Sequence, residues 1–287
     1  MTPPAHEHGA RDPTPERGPG GTGVLAVLRQ RLAGVRDELQ RAARRAGRDP
    51  SAVTLVAVTK SAPPEVFPLL AAAGVRDVGE SRVQAGAARR AAGDRGLRWH
   101  LVGHLQSNKA ARALESFDVF HGVDSLALLA RLDAAAAGRP RAPELLLQVN
   151  VSGETSKHGL LPGELPAALD LAARLAHVRV VGLMTMAPEA DDPGHARPHF
   201  RALARLRDRC ARPADGLPLR ELSMGMSDDF GVAAEEGATL VRIGRRLFDG
   251  LPWVGDRGDG RSDRRDGDGN GQGDDRGDGA ARGADLR

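Results

Sequence analysis

Short apolar runs alternate with longer amphipathic stretches through most of the chain. The runs read as strands at Thr54–Thr59, Asp77–Gly79, Trp99–Val102, Val119–Val123, Leu145–Asn150, Val180–Met184, Glu221–Ser223 and Leu240–Ile243. They are nearly continuous in apolar character, as expected of parallel strands covered by helices on the outside. Between them lie stretches rich in Ala, Leu and Arg with helical spacing, at Pro64–Ala73, Arg82–Ala92, Lys109–Glu115, Leu126–Ala137, Leu165–Ala176, His195–Ala211 and Asp229–Glu236. One further helical pattern, Val24–Ala46, precedes the first strand. Eight strands alternating with helices predict an α/β fold. Its form is a single closed (β/α)8 barrel of the TIM type with an extra N-terminal helix. A doubly wound open sheet is the alternative.

The pattern stops at both ends. Residues 1–23 are dominated by Pro, Gly and charge, and residues 255–287 by Asp, Gly and Arg. Neither segment has enough apolar surface to offset its ordering entropy, so both are expected to be disordered. Residues 24–254 form the expected domain, close to the usual size of such a barrel. Two motif matches fall in the end segments. Gly18, Gly20 and Gly23 fit GxGxxG, but Pro13, Pro15 and Pro19 stand where a strand would have to precede it. Asp266, Asp268 and Asn270 resemble half a calcium loop, but Gly277 stands where a bidentate Glu is needed. The first is read as a flexible linker and the second as a solvated tail.

Composition narrows the chemistry. Of 41 basic side chains only Lys60, Lys109 and Lys157 are lysine; tyrosine is absent and Cys210 is the single cysteine. No disulfide within the chain and no multi-cysteine zinc cluster can form. The net charge is +3 with 38 acidic residues interspersed, and aromatics make up 3%. That is not the footprint of a nucleic-acid binder. No apolar run approaches the roughly 20 residues of a membrane span, and the N-terminal stretch has no signal-like apolar region. A cytoplasmic protein is expected.

In a barrel of this kind the active site forms at the C-terminal ends of the strands. The polar residues there include Lys60, Glu80, Ser81, His104, Asp124, Asn150, Thr185, Ser223, Ser227 and Arg242. Lys60 ends the apolar run Leu55–Thr59, where burial would favour a neutral, nucleophilic amine. The same position also suits a lysine reaching from a strand end to solvent. The seventh and eighth strand ends read Ser223-Met224-Gly225-Met226-Ser227-Asp228-Asp229 and Arg242-Ile243-Gly244-Arg245. Gly225 and Gly244 permit close backbone approach to an anion, and Ser227 offers a hydroxyl at the expected start of a helix. A Schiff-base amine facing a phosphate cradle points to pyridoxal 5′-phosphate (PLP). His100, His104, His121 and His158 show no metal-ligand spacing and read as core or rim histidines.

The strings Val78-Gly79-Glu80-Ser81-Arg82-Val83-Gln84, Trp99-His100-Leu101-Val102-Gly103-His104-Leu105-Gln106-Ser107-Asn108-Lys109 and Leu222-Ser223-Met224-Gly225-Met226-Ser227-Asp228-Asp229-Phe230 carry a resemblance. The chain resembles the pyridoxal phosphate homeostasis proteins, single barrels similar to the N-terminal domain of alanine racemase. The resemblance implies that Lys60 holds PLP as an internal aldimine. It further implies that Ser227 and the backbone near Gly244 hold the phosphate, that Arg242 faces the pyridine nitrogen, and that Ser81 and Met224 line the cofactor. Two positions depart from the pattern: Ser81 replaces a usual Asn, and Arg245 a usual Thr. Both bear on affinity. The implied role is binding, buffering and delivering PLP without robust catalysis, as a monomer, with PLP-dependent apoenzymes as recipients. Lys109 and Lys157 read as surface lysines. The competing function is a PLP-dependent amino-acid racemase of fold-type III. Two-base racemases of that type use a tyrosine opposite the lysine and a second domain, neither of which is expected here.

Overall fold

The computed structural model describes residues 21–93, 96–155 and 157–251. The chain opens with helix α1 (Gly21–Arg45), three residues earlier than the sequence pattern predicts. Its buried side chains Val24, Leu28, Leu32, Val35, Leu39 and Ala42 recur at steps of three and four, one stripe of an amphipathic helix. The alternation then runs β1 (Thr54–Val58), α2 (Val66–Ala72), β2 (Asp77–Glu80), α3 (Val83–Gly93), β3 (Arg98–Leu101), α4 (Ala110–Leu114) and β4 (Val119–Val123). It continues with α5 (Leu126–Ala136), β5 (Glu144–Gln148), α6 (Leu165–Ala172), β6 (Arg179–Met184), α7 (Arg197–Cys210), β7 (Glu221–Ser223), α8 (Phe230–Glu235), β8 (Leu240–Ile243) and α9 (Arg245–Phe248).

All eight expected strands are present and form a closed parallel barrel in sequence order. β8 pairs with β1, with Val56 opposite Arg242 and Ala57 opposite Ile243. Closure excludes the open-sheet alternative. Several strands end earlier than their apolar runs, so β1 stops at Val58 and β5 at Gln148. The extra apolar residues belong to the loops that roof the barrel. The helix expected from Asp229 begins at Phe230, after a turn at residues 227–229, so Ser227 stands in that turn and not at a helix start.

Two apolar layers follow from the alternation of strand side chains, which shifts at the irregularities between β4, β5 and β6. Val56, Val119, Leu146, Met184 and Leu240 point inward and fill the barrel axis. Ala57, Val78, Leu145, Leu147, Leu183, Leu222, Met224, Val241 and Ile243 point outward and pack beneath the helices. α9 spans only Arg245–Phe248 and is too short to cover the β8–β1 seam. α1 packs against α2, α8 and α9 and supplies that cover. Gly182 in β6 is a close-approach position. A Cβ there would lie 1.9 Å from the Glu221 carbonyl oxygen on β7.

Candidate functional site at the barrel mouth

Lys60 follows β1 by two residues and is exposed. Of the two readings the sequence left open, a buried amine and a lysine reaching solvent, the structure shows the second. Burial ends at Val58 and Thr59, because the strand stops short of the lysine. The backbone around Lys60 is nevertheless firmly held. Arg89 of α3 donates from Nη1 to the Thr59 carbonyl (2.7 Å) and from Nη2 to the carbonyls of Ala62 (2.9 Å) and Lys60 (3.3 Å). The same guanidinium pairs with Glu80, which is 1% exposed at the end of β2, and the Thr59 hydroxyl donates to that carboxylate as well. A buried carboxylate requires such partners, and here they tie the lysine segment to β2 and α3. Ser81, next in the chain, is half-buried. A Cβ at Gly103 would stand 2.3 Å from the Ser81 carbonyl oxygen, so the loops after β2 and β3 meet there at glycine distance.

Under the mouth lies Arg242, 4% exposed, on the inward face of β8. It donates from Nη1 to Ser223 Oγ (2.6 Å) and from Nη2 to the Thr185 carbonyl (3.1 Å). Ser223 continues into a chain across the barrel. Its Oγ lies 2.7 Å from His121 Nδ1, His121 Nε2 lies 2.8 Å from His100 Nδ1, and His100 Nε2 lies 3.0 Å from Asp77 Oδ1. The roles follow from the two ends. The Asp77 carboxylate only accepts, so His100 Nε2 donates and its Nδ1 accepts from His121. His121 Nδ1 then accepts the Ser223 hydroxyl proton, leaving the serine oxygen to accept from Arg242. Both imidazoles are neutral in this arrangement. Burial holds the pKa of His121 well below the usual histidine range, with His100 and Arg242 adding to the effect. Burial also lowers His100, against the opposing pull of Asp77. The Arg242 guanidinium is pushed down to about 10 by burial, opposed by Asp229, and so stays cationic at neutral pH.

The last two strand ends complete the mouth. Gly225 has φ +92°, and a Cβ there would lie 2.4 Å from that of Ala233, so the turn demands glycine. Ser227 is buried, and its Oγ accepts from the Arg246 amide at 3.4 Å. Asp229 accepts from the Met226 amide (2.6 Å) and is raised in pKa by burial. Gly244 packs against the end of β1, where an added Cβ would stand 3.2 Å from the Val58 carbonyl oxygen. These contacts set Arg242 and Gly244 beside the strand that leads to Lys60 and Ser227 against the backbone two residues past Gly244. The Met224 side chain is not brought there, because it faces outward and is wholly buried beneath the helices. Arg245 is exposed and paired with Asp228. A cavity of about 390 Å³ adjoins this end, lined by Met226, Asp228, Asp229, Arg245 and residues 187–193. Lys109 and Lys157 are partly exposed, and Lys157 Nζ lies 3.9 Å from Glu154.

The fit to a small phosphorylated cofactor rests on three features of this mouth. Glycines leave the backbone bare where strands β7, β8 and β1 meet. A buried cation with remaining N–H donors lies below them. An accessible amine stands on a clamped segment at the rim. Arg89, Ser223, His100 and His121 were not among the site residues read from sequence as holding a cofactor. No local spacing could identify them, since their partners lie on other strands.

Fold and mouth together define a barrel of the alanine racemase N-terminal-domain class, and the family model with that description matches residues 31–252. The chain belongs to the pyridoxal phosphate homeostasis proteins within that class. It is 41% identical over 226 residues to the pyridoxal phosphate homeostasis protein of Pseudomonas aeruginosa, covering 78% of this chain and 96% of that protein. With the protein of the same name from Aquifex aeolicus it shares 39% over 220 residues, covering 76% and 96%. Among solved structures, PipY of Synechococcus elongatus with PLP bound is similar at a TM-score of 0.68 and 38% identity. That match covers 77% of this chain and 99% of PipY. Among the described residues no helix is long and apolar enough to cross a membrane.

Proposed function

We propose that this chain binds PLP at the barrel mouth and serves its homeostasis by holding, buffering and delivering the cofactor, without robust catalysis of its own. The observation that carries this reading is the meeting of the Lys60 segment, the buried Arg242 and the Gly225–Ser227–Gly244 turns at one end of β1, β7 and β8. When bound, PLP supplies an aldehyde that condenses with amines and a ring that withdraws electrons. Lys60 would hold it covalently through its amine. Ser227 and the bare backbone at Gly244 would receive the phosphate, and Arg245 would release Asp228 to add charge. Ser81 would lie beside the ring.

Arg242 would face the pyridine nitrogen. The histidine chain bears on this role, because Ser223 has committed its only proton to His121 and so holds the guanidinium as a donor. A cation opposite the ring nitrogen disfavours protonation there and weakens the ring as an electron sink. This supports storage over carbanion chemistry. The racemase reading lacks support, since the chain has no tyrosine to act as the opposing acid. The protein would act as a monomer in the cytoplasm and pass PLP to apoenzymes that depend on it.

Purified protein is expected to absorb in the visible, and borohydride should leave the cofactor on the peptide containing Lys60. Lys60→Ala should be colourless, and an unchanged spectrum would overturn the assignment. Alanine racemisation by the loaded protein should stay at background, whereas clear turnover would favour the racemase.

A further inference from the structure

A second cluster of side chains lies at the mouth, over β3, β4 and β5. His104 stands in the loop after β3, Asp124 directly follows β4, and His158 lies in the loop after β5. One donor atom from each lies within 4.8 Å of the others. His104 Nδ1 is 2.8 Å from Asp124 Oδ2, and His158 Nδ1 is 3.9 Å from the same oxygen. The two imidazoles are stacked, with centroids 4.3 Å apart and planes 14° from parallel. A hydrogen bond accounts for the first contact. His158 Nδ1 faces the same oxygen from beyond hydrogen-bond distance, so a second imidazole nitrogen stands beside the carboxylate without a bond to it.

We propose that His104, Asp124 and His158 form a binding site for a divalent first-row transition metal of the Zn²⁺, Co²⁺ or Ni²⁺ type. Two imidazoles and one carboxylate suit these ions, whereas Mg²⁺ and Ca²⁺ prefer all-oxygen shells. Donors about 2.0–2.1 Å from a tetrahedral zinc lie roughly 3.3 Å apart. The two nitrogen–oxygen distances here bracket that value. The rings are stacked, so an ion in the plane of both requires one of these exposed imidazoles to turn out of the stack.

The backbone that carries the ligands is already ordered. Gln148 donates from Nε2 to the His158 carbonyl (2.8 Å), and the Leu160 amide bonds back to the Gln148 carbonyl (2.8 Å). Asn150 ties the same loop by donating from Nδ2 to the carbonyls of Glu154 (2.8 Å) and Lys157 (3.3 Å). Asp124 sits between β4 and Ser125, whose hydroxyl caps α5 by accepting from the Leu128 amide. Its side chain is 10% exposed, while those of His104 and His158 are 42% and 62% exposed. An ion can therefore enter from solvent and meet a carboxylate held in place. Three protein donors leave a coordination position for water or a further ligand, and an ion there would pin the loops after β3 and β5 together.

The test is calorimetric titration of the full chain with ZnCl₂, repeated with CoCl₂ while following the d–d absorption. One tight equivalent is expected, with a raised melting temperature when metal is in excess. His104→Ala/His158→Ala should weaken binding at least about tenfold and remove the melting shift. Both side chains are exposed, so this variant keeps the fold. MgCl₂ should not compete. No uptake by the native chain, equal uptake by the double variant, or displacement by MgCl₂ would each overturn the site.

Discussion

The buried hydrogen-bond chain from Asp77 to Arg242 makes individual residues accountable. Removing the Ser223 hydroxyl leaves His121 Nδ1 and one Arg242 donor without partners in the barrel interior. Ser223→Ala should therefore cost about 1–3 kcal/mol for each orphaned group, read as a lower denaturation midpoint in urea. The histidines also set a pH dependence. Both are held neutral by burial, with folded pKa values below the ordinary 6.5. As pH falls below about 6.5 the unfolded chain takes up protons that the folded chain does not, so stability is lost with acidification in that window. Unfolding measured at pH 5 and pH 7.5 should show this loss, and His121→Gln should reduce it. An equal loss in that variant would place the effect elsewhere. His121 looked like an ordinary core histidine in the sequence, which it is by burial. Its partners were not legible, because His100 lies 21 residues away and Ser223 lies 102. For a related reason the sequence left Lys60 open between a buried amine and one reaching solvent, and the structure exposes it. The apolar run marks the strand but not where the strand stops.

At the scale of elements, the Arg89–Glu80 pair joins α3 to β2 and to the segment after β1. Arg89→Met leaves a buried carboxylate without its cation and should destabilise by about 3–5 kcal/mol. It should also weaken PLP uptake, because the carbonyls of Thr59, Lys60 and Ala62 lose their shared donor. Adding Glu80→Gln should recover part of the stability but not the uptake, which equilibrium unfolding and cofactor titration would separate. Gly182→Ala forces a methyl group against the Glu221 carbonyl in the β6–β7 ladder. Overpacking of this kind costs about 1–3 kcal/mol or more, and the thermal midpoint should fall accordingly. Neither element contact is written in local periodicity. Which face of β7 carries Ser223 inward and Met224 outward is likewise a matter of register, where a step of one residue exchanges the faces.

For the whole molecule, closure of β8 onto β1 completes the barrel by Ile243, and among the described residues α9 with Leu251 adds the last buried ones. A chain truncated after residue 254 is therefore expected to keep its melting temperature and its cofactor band. Loss of either would show that the remaining residues contribute to the fold or the site. The eight strands, their order and the helix before them were readable along the chain, because a parallel strand under helices is a short apolar run and neighbouring side chains carry that signal. Lys60 and the Gly225–Ser227 and Gly244 turns were readable because strand ends form the mouth of any such barrel. The histidine chain, the Arg89 clamp and the His104–Asp124–His158 cluster were not. Each joins residues from different strands or loops, and their distances exist only once the sheet has closed and its register is set.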